Sequence, residues 1–479
     1  LILMFTAGQP DLRHIPTTGF SSPILSYIDV VRYHWDARAY VQRGYDKYKN
    51  QAFKVPNIRS WYVVLNGNRY LEELQRASED ALSSRALVNE ATSVILGPDF
   101  ANNHYHISVI RNQMTRNIPE FFGEMYDEVK IAFARYLPVS DDWAFYNPNR
   151  FILQIVCQAV NRICVGAPYC RDDALITSSL GLAPTLHLSG RIVGGFPKSL
   201  RPYVAYFLPG VLTSKQNWIK ILTPIIDERR TPREKNTGRP ADVLTWLMDE
   251  ARGDEQSNEN LATRILMINN GALSTTTFMS THVLYHLASE PRYIKLLRGD
   301  IETVIATDGW TKSGVDKMHK LDSFIKETMR VHPISIGLVG HIALKDYTFS
   351  DGTLIPKGTT VVAPADAVHH DDTYPNAREF QGFRFVESSR NKSDRGGGEE
   401  SLVNLTPNFL PFGHGNHACP GRFFAASSMK LVLAYMLLHY DFILEGGSEE
   451  GAKRPKDLFF GGLRLPNQKA RLLVRKRRT

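Results

Sequence analysis

Helical patterns dominate the distribution of hydrophobic and polar positions between residues 68 and 330. The longest candidate covers residues 261–289, with Pro291 just beyond it, and about 29 residues give a rod of roughly 43 Å. After Pro333 the pattern changes to short strand-like pieces at 347–349, 359–362 and 470–474, separated by turn signals, and a further strand is predicted at 60–66. Helix returns at 423–438. The pattern predicts a mainly α fold with a minor β portion.

Composition sets the class of protein. The chain has 479 residues, of which 43% are hydrophobic and 22% charged, so it is long enough to fold around a ligand cavity and is not disordered. Its net charge is +8, and aromatic residues are not interleaved with basic runs. This balance argues against nucleic acid as a partner and favours a basic docking face for an acidic partner or membrane surface.

The hydrophobic stretch at the start of the sequence is short. No run of 18 or more apolar residues occurs, so the sequence predicts no complete transmembrane helix. Residues 1–8 begin with Leu1 and are interpreted as the remnant of an N-terminal membrane anchor or leader. Residues 9–479 are then expected to form a single catalytic domain.

Four cysteines are too few for a disulfide framework and indicate a reducing environment. Cys157, Cys164 and Cys170 lie in or near an apolar stretch and are interpreted as inert core residues. Cys419 is different because it stands in a glycine-rich loop just before an apolar helix. A helix N-terminus stabilises a thiolate, so the loop predicts an anionic sulfur with a lowered pKa.

Three chemistries are compatible with this loop. A cysteine nucleophile would need a base, for which His417 is available. A zinc site from His414, His417 and Cys419 would be crowded and short of a fourth ligand. A heme thiolate needs Cys419 alone as protein ligand.

The segment Phe412-x-x-Gly415-x-x-x-Cys419-x-Gly421 resembles the heme-binding signature of the cytochrome P450 superfamily. Three more motifs of that family occur in order: residues 271–276 (Gly-Ala-Leu-Ser-Thr-Thr) resemble its oxygen-activating motif, residues 327–330 its Glu-x-x-Arg element, and residues 380–385 its aromatic segment with a second arginine. The texture of the whole chain is similar to fungal secondary-metabolism members. The resemblance implies the P450 fold, with a long central helix over heme b and the cysteine loop beneath it.

The resemblance also implies roles for individual residues. Cys419 would be the axial ligand of the heme iron, and Thr275 and Ser274 the catalytic hydroxyls. Glu327, Arg330 and Arg384 would form a structural cluster; the first two are three apart on a helix and share a face. The remaining candidate heme contacts are Arg111, His417, His341, Phe412, Gly413 and Tyr105.

The sequence departs from the family pattern at informative positions. Ser274 stands where an acidic residue usually precedes the threonine, so proton delivery would rely on hydroxyls and water. Ile107 replaces the tryptophan four residues before Arg111, and His341 replaces an arginine that pairs with a heme carboxylate. The hydroxyls in the long helix are expected to open its hydrogen-bond ladder locally.

We interpret the chain as a heme-thiolate monooxygenase that oxidises a hydrophobic secondary metabolite with a terpenoid, indole-terpenoid or polyketide scaffold. The alternative is a heme-thiolate enzyme that cyclises, rearranges or dehydrates its substrate without net oxygen insertion. A non-catalytic heme or lipid-binding protein is a further alternative. Expected partners are NADPH–cytochrome P450 reductase, with cytochrome b5 as a second candidate donor, for a monomer on the cytosolic side of the endoplasmic reticulum membrane.

Overall fold

The computed structural model is mainly helical. It describes residues 10–22, 24–57, 60–96, 103–194, 196, 199–208, 210–231, 239–370, 373–386, 401–460 and 462–478. The α-helices are, in order, α1 Ser26–Trp35, α2 Ala37–Lys47, α3 Asn68–Arg76, α4 Ser84–Leu96, α5 Tyr105–Val109, α6 Ile118–Tyr136, α7 Pro148–Val165, α8 Asp173–Gly194, α9 Arg201–Phe207, α10 Val211–Arg230, α11 Val243–Glu250, α12 Asn258–Ser289, α13 Arg292–Asp308, α14 Lys312–Asp316, α15 His319–Val331, α16 Ala365–His369 and α17 Arg422–His439. A π-helical turn at Ile110–Met114 continues α5.

The β portion consists of small sheets. Its strands are β1 Phe53–Pro56, β2 Trp61–Val64, β3 Leu82–Ser83, β4 Ala144–Tyr146, β5 Gly337–Ala343, β6 Tyr347–Thr348, β7 Leu354–Ile355, β8 Thr360–Pro364, β9 Tyr440–Leu444, β10 Leu458–Phe460, β11 Leu463–Leu465 and β12 Leu472–Lys476. The largest sheet has the order β1-β2-β8-β5-β3, in which only β2 and β8 run parallel. The order β4-β12-β9 gives a second, antiparallel sheet, and β10-β11 and β6-β7 form hairpins.

Helix α12 runs through the main hydrophobic core and packs against α7, α10, α15 and α17. It spans 32 residues, beginning three residues before the predicted start. The cause is Ser257, whose side chain accepts a hydrogen bond from the backbone N–H of Asn260 at 3.2 Å and caps the first turn. The helix ends at Ser289 as predicted, and Pro291 follows.

The predicted mainly α class is confirmed, and the predicted strands lie within two residues of observed ones. The helix expected at 423–438 is α17, which begins immediately after the cysteine loop. Among the described residues, no helix combines the length and apolarity that crossing a membrane requires. The predicted anchor remnant at 1–8 lies outside the described residues, as do residues 387–400.

Candidate active site

The cysteine loop is a tight turn that leads from residue 410 into α17. The backbone N–H of Cys419 donates to the carbonyl oxygen of Phe412 at 2.8 Å, and that of Gly413 donates to Leu410 at 2.8 Å. Gly413 has φ +77°, and a Cβ there would lie 3.3 Å from the carbonyl oxygen of His417. Gly415 has φ +60°, and its Cβ would lie 2.5 Å from Cγ of Gln75. The loop therefore requires glycine at both positions.

Cys419 is exposed, and it is one of the residues that line a cavity. Burial raises the pKa of its thiol, and the backbone N–H of Gly421 and the charge of Arg422 act in the opposite direction without reversing the shift. The expectation of a lowered thiol pKa was therefore wrong for the protein alone, because desolvation outweighs the helix terminus. A bound metal ion reverses this balance, since it favours the thiolate directly.

The cavity has a volume of about 310 Å³ and is almost entirely apolar. We call the lining residues of the cysteine loop and α17 the sulfur side: Pro411, Phe412, Cys419, Pro420, Gly421, Phe424, Ala425 and Met429. We call those of α12 the helix side: Met267, Ile268, Gly271, Ala272, Thr275, Thr276 and Met279. The remaining wall is His106, Ile107, Ile110, Met114, Val160, Ile163, Cys164, Val243, Met329 and Ile334. None of these described lining residues is acidic.

Thr275 and Ser274 take different positions on α12. Thr275 faces the cavity, and its hydroxyl donates to the carbonyl oxygen of Gly271 at 2.9 Å. Ser274 is buried outside the cavity lining. The helix is continuous from Asn258 to Ser289, so the expected opening of its ladder is wrong. Room beside the helix comes instead from Gly271, because a Cβ there would meet nothing within 4 Å.

Glu327, Arg330 and Arg384 form the predicted ion-pair cluster, fully enclosed by protein. Arg330 Nε lies 2.7 Å from Glu327 Oε2 and Arg330 Nη2 lies 2.8 Å from Oε1. Arg384 Nε lies 3.1 Å from both carboxylate oxygens. Glu327 is thus held by two guanidinium groups, which compensates the cost of burying its charge.

The cluster reaches the cysteine loop through α16. Arg330 also donates to the carbonyl oxygen of His369 at 2.5 Å. His369 Nε2 in turn accepts the backbone N–H of Leu410 at 3.0 Å, and its ring stacks on Phe409. This chain of contacts fixes the start of the cysteine loop. Sequence reasoning missed His369, because only the fold brings it next to residue 410.

Two of the predicted heme-contact residues, His341 and His417, meet edge to face with ring centroids 4.8 Å apart. His417 Nδ1 lies 2.9 Å from the Ser84 hydroxyl and 3.4 Å from Glu79 Oε2. His341 Nδ1 bonds the carbonyl oxygen of Val339 at 2.9 Å, while its buried Nε2 has no partner among the described residues. Burial lowers the pKa of His341. The pair lies beside the cysteine loop and leaves imidazole nitrogen available to a ligand.

Tyr105 and Arg111 flank Ile107 in the sequence: Tyr105 is the first residue of α5, and Arg111 lies in the π-helical turn that follows α5. Arg111 is exposed, and burial together with the charge of Arg111 lowers the pKa of Arg422. Burial raises the pKa of Tyr105 to about 12, and its hydroxyl has no partner among the described residues. The Arg264 guanidinium lies 5.1 Å from the centre of the Tyr105 ring.

The structure also bears on the alternatives and on the predicted walls. In the described part of the chain His414, His417 and Cys419 do not form a metal-ligand group, and His417 Nδ1 is directed at Ser84. The resemblance to the P450 family also predicts substrate walls near 99–103, on the face of 267–275, at 334–339 and at 459–463. Of these, Met267, Ile268, Gly271, Ala272, Thr275 and Ile334 line the cavity, the described residues of 459–463 do not, and residues 99–102 lie outside the described residues. The sequence did not predict that His106, Met114, Met279, Met329 and Met429 line the cavity. The spacing of Ile107, Ile110 and Met114 on one helical face is a signal that could have found that wall.

The fold and site define a class of enzyme: a cysteine in a glycine-rich loop borders an apolar cavity, and a long helix turns a glycine and two threonines toward the same cavity. The family model of cytochrome P450 matches residues 33–474. The chain is 40% identical to cytochrome P450 monooxygenase 151 of Postia placenta, over 100% of this chain and 97% of that protein. It is 30% identical to ent-kaurene oxidase P450-4 of Gibberella fujikuroi, over 97% of this chain and 92% of that protein. The chain belongs to the cytochrome P450 family of monooxygenases.

Membership of this family implies a heme-iron cofactor, and the residues present fit one. Cys419 supplies a single sulfur ligand, and the walls are apolar enough to cover a flat macrocycle. His341 Nε2 and the Tyr105 hydroxyl are buried polar atoms without partners in the described part of the chain. Such atoms are costly unless a ligand satisfies them.

Proposed function

We propose that this P450 holds heme b through Cys419 Sγ and oxidises a lipophilic secondary metabolite with a terpenoid, indole-terpenoid or polyketide scaffold. The observation that carries the proposal is the position of Cys419 on the same apolar cavity as Gly271 and Thr275. An apolar cavity with few polar groups selects hydrophobic ligands. Similarity to an ent-kaurene oxidase supports a terpenoid scaffold.

Bound heme would supply oxygen activation: with two electrons and two protons, one atom of O2 would enter the substrate and the other would leave as water. The protein's own residues orient the substrate and control protons. The apolar walls exclude bulk water, and Phe412 covers the sulfur side. Thr275 and Thr276 are the two hydroxyl residues of the helix side, and we propose that Thr275 Oγ1 is the one that holds a proton at the cavity. His341, His417, Arg111 and Tyr105 are proposed to hold the heme carboxylates.

The electron donor in this proposal is a separate NADPH–cytochrome P450 reductase, with cytochrome b5 as a second donor. A groove of about 420 Å³ lies beside the start of α17 and is lined by Arg116, Lys312, Asp316 and Phe423, among others. Lys312 is paired with Asp316, so the positive charge next to the cysteine loop comes from Arg116 together with Arg111 and Arg422. Such a surface attracts an acidic partner.

The proposal includes one catalytic domain over residues 9–479, monomeric and associated with the endoplasmic reticulum membrane. Ile24, Ile28, Val31 and Trp35 are exposed at helical spacing on one face of the α1 region, and Trp35 is 85% exposed. Exposed Leu458 and Phe460 of β10 belong to the hairpin that α1 contacts. An apolar stripe of this kind supports contact with a lipid surface.

The carbon monoxide difference spectrum of the reduced protein tests the thiolate ligand. We expect a strongly red-shifted Soret band in wild type and its loss in Cys419→Ser and Cys419→His. Cys164→Ser is the matched control, because Cys164 also lines the cavity but lies in α7, and it should keep the band. A wild-type protein without the band would contradict the proposal.

A second candidate function is rearrangement, cyclisation or dehydration without net oxygen insertion. The absence of acidic residues from the described cavity lining favours it, because proton delivery then rests on the hydroxyls of Thr275 and Thr276 and on water. The mass of the product separates the two functions. A product that gains one oxygen atom with NADPH consumption supports monooxygenation, and turnover without oxygen uptake or electron donor supports the second function.

A further inference from the structure

We infer that His282, His332 and Asp457 form a binding site for a divalent transition-metal ion of the Zn²⁺ type, outside the heme cavity. In the described part of the chain this is the one group of three or more histidine, cysteine or acidic residues whose ligand atoms converge, all within 4.8 Å of one another. Two imidazoles and one carboxylate are a ligand set that zinc uses in proteins.

The distances suit a small cation. His332 Nδ1 lies 2.7 Å from Asp457 Oδ2, and His282 Nδ1 lies 3.7 Å from Asp457 Oδ1. Two ligands bound at about 2.0–2.2 Å in tetrahedral geometry are about 3.3–3.6 Å apart. Only small side-chain shifts would bring the three atoms to those separations.

The surroundings are those of a metal site rather than of a surface ion pair. His282 is 0% exposed, and its Nε2 has no partner among the described residues. His332 Nε2 lies 2.8 Å from His286 Nε2, so a neighbouring imidazole orients the ligand ring as outer-sphere partners do. Arg454 can only donate, so His282 Nδ1 carries a lone pair. His332 Nδ1, in contrast, donates to Asp457 and would pass its proton to Nε2, which faces His286, on binding a metal ion.

Arg454 occupies the position of the cation. Its Nη2 lies 2.6 Å from His282 Nδ1 and its Nη1 lies 2.7 Å from Asp457 Oδ1. Arg454 lies in the connection between β9 and β10. Its side chain is 17% exposed and its Nε has no partner among the described residues, so the side chain can rotate out of the site into solvent. The second nearby arginine, Arg464, is paired with Asp366, and its Nε also lies 3.7 Å from Asp457 Oδ2. A metal ion would therefore displace Arg454 and share the Asp457 carboxylate with Arg464.

A metal ion here would join three separate parts of the chain: the C-terminal part of α12, the residue after α15, and the approach to β10. Two of these border the cavity, because Met279 precedes His282 by three residues and Ile334 follows His332 by two. The site would therefore stabilise the cavity wall, and it does not depend on the proposed heme chemistry.

Equilibrium dialysis of the purified full chain against Zn²⁺, with competition by a zinc chelator, tests the site. We expect one Zn²⁺ per chain in wild type and binding weakened at least about tenfold in His282→Ala and in Asp457→Asn. Arg454→Leu should bind about tenfold more tightly, because the competing cation is removed. His14→Ala, which removes an exposed histidine far along the chain, is the matched control and should bind like wild type.

Asp457→Asn keeps the test decisive if His282→Ala does not fold, because it preserves shape and removes only the charge. Excess Zn²⁺ should also raise the melting temperature of wild type and not that of Asp457→Asn. Zinc binding by Asp457→Asn as tight as wild type, or by Arg454→Leu no tighter than wild type, would overturn the assignment.

Discussion

The sulfur side of the cavity is fastened by charged hydrogen bonds, whereas the helix side is held by apolar packing along one continuous helix. The Glu327 cluster reaches the cysteine loop through Arg330 and His369. On the helix side, Gly271 and Thr275 belong to α12, which packs in the hydrophobic core and is joined to α7 by the Asn269–Asn161 hydrogen bond. The two sides should therefore respond differently to substitution: the sulfur side through stability and the helix side through ligand binding and turnover.

Glu327→Ala should have the largest effect. It leaves the Arg330 and Arg384 guanidinium groups buried without their carboxylate, which costs about 3–5 kcal/mol in the free energy of unfolding. Urea unfolding measures the loss. Glu290→Ala breaks the exposed Glu290–Arg292 pair and is the control, with an expected change below about 1 kcal/mol. Equal effects of the two substitutions would show that the cluster does not fasten the sulfur side.

Thr275→Ala should lower product formed per NADPH oxidised by up to about 100-fold, since it removes the hydroxyl that faces the cavity. Stability should change little. Thr275→Ser should restore most of the yield, and Ser274→Ala is the matched control because Ser274 lies outside the cavity lining. The measurement uses the reductase and any lipophilic ligand that stimulates NADPH consumption by wild type. A larger defect in Ser274→Ala would reverse the assignment of the two hydroxyls.

A fall in pH should lower the free energy of unfolding through His369, which holds the start of the cysteine loop on the sulfur side. Burial lowers the pKa of His369 from 6.5 to about 3. Between these two pH values His369 is therefore protonated in the unfolded chain and neutral in the folded chain. The contribution is fully present above pH 6.5 and is lost as the pH falls toward 3, at about 1.4 kcal/mol per pH unit.

Urea unfolding of wild type and His369→Gln at several pH values measures this contribution. The variant should show a shallower dependence on pH, because glutamine keeps an acceptor for Leu410 but does not titrate. His14→Gln should leave the dependence unchanged. A slope in His369→Gln as steep as that of wild type would exclude His369 as the source.

Gly271→Ala should have the smallest effect on stability, and in the favourable direction. Alanine is preferred to glycine within a helix by about 1 kcal/mol, and its Cβ would meet no atom within 4 Å. The same methyl group enters the cavity, so ligand affinity should fall while the melting temperature rises. A loss of stability would mean that the helix side is packed as tightly as the sulfur side.

Local patterns made part of this site predictable from the sequence. Glu327 and Arg330 share a helix face, and the glycine-rich loop and the start of α17 are local signals around Cys419. That Thr275 and Thr276 line the cavity and Ser274 does not was not predictable, because the three residues are adjacent and the tertiary packing of α12 sets its rotation. His282, His332 and Asp457 are far apart in sequence and only the fold brings them together. The pKa of Cys419 was misjudged because burial is a property of the whole fold.

The methionines of the cavity wall should limit the number of turnovers that the enzyme completes before it loses activity. Met114, Met267, Met279, Met329 and Met429 place five thioethers around the space where the substrate is oxidised. Thioethers are readily converted to sulfoxides, which are polar and would make the apolar wall less hydrophobic. We expect oxidising equivalents that do not reach the substrate to oxidise these side chains, so loss of activity should follow the number of unproductive turnovers rather than elapsed time.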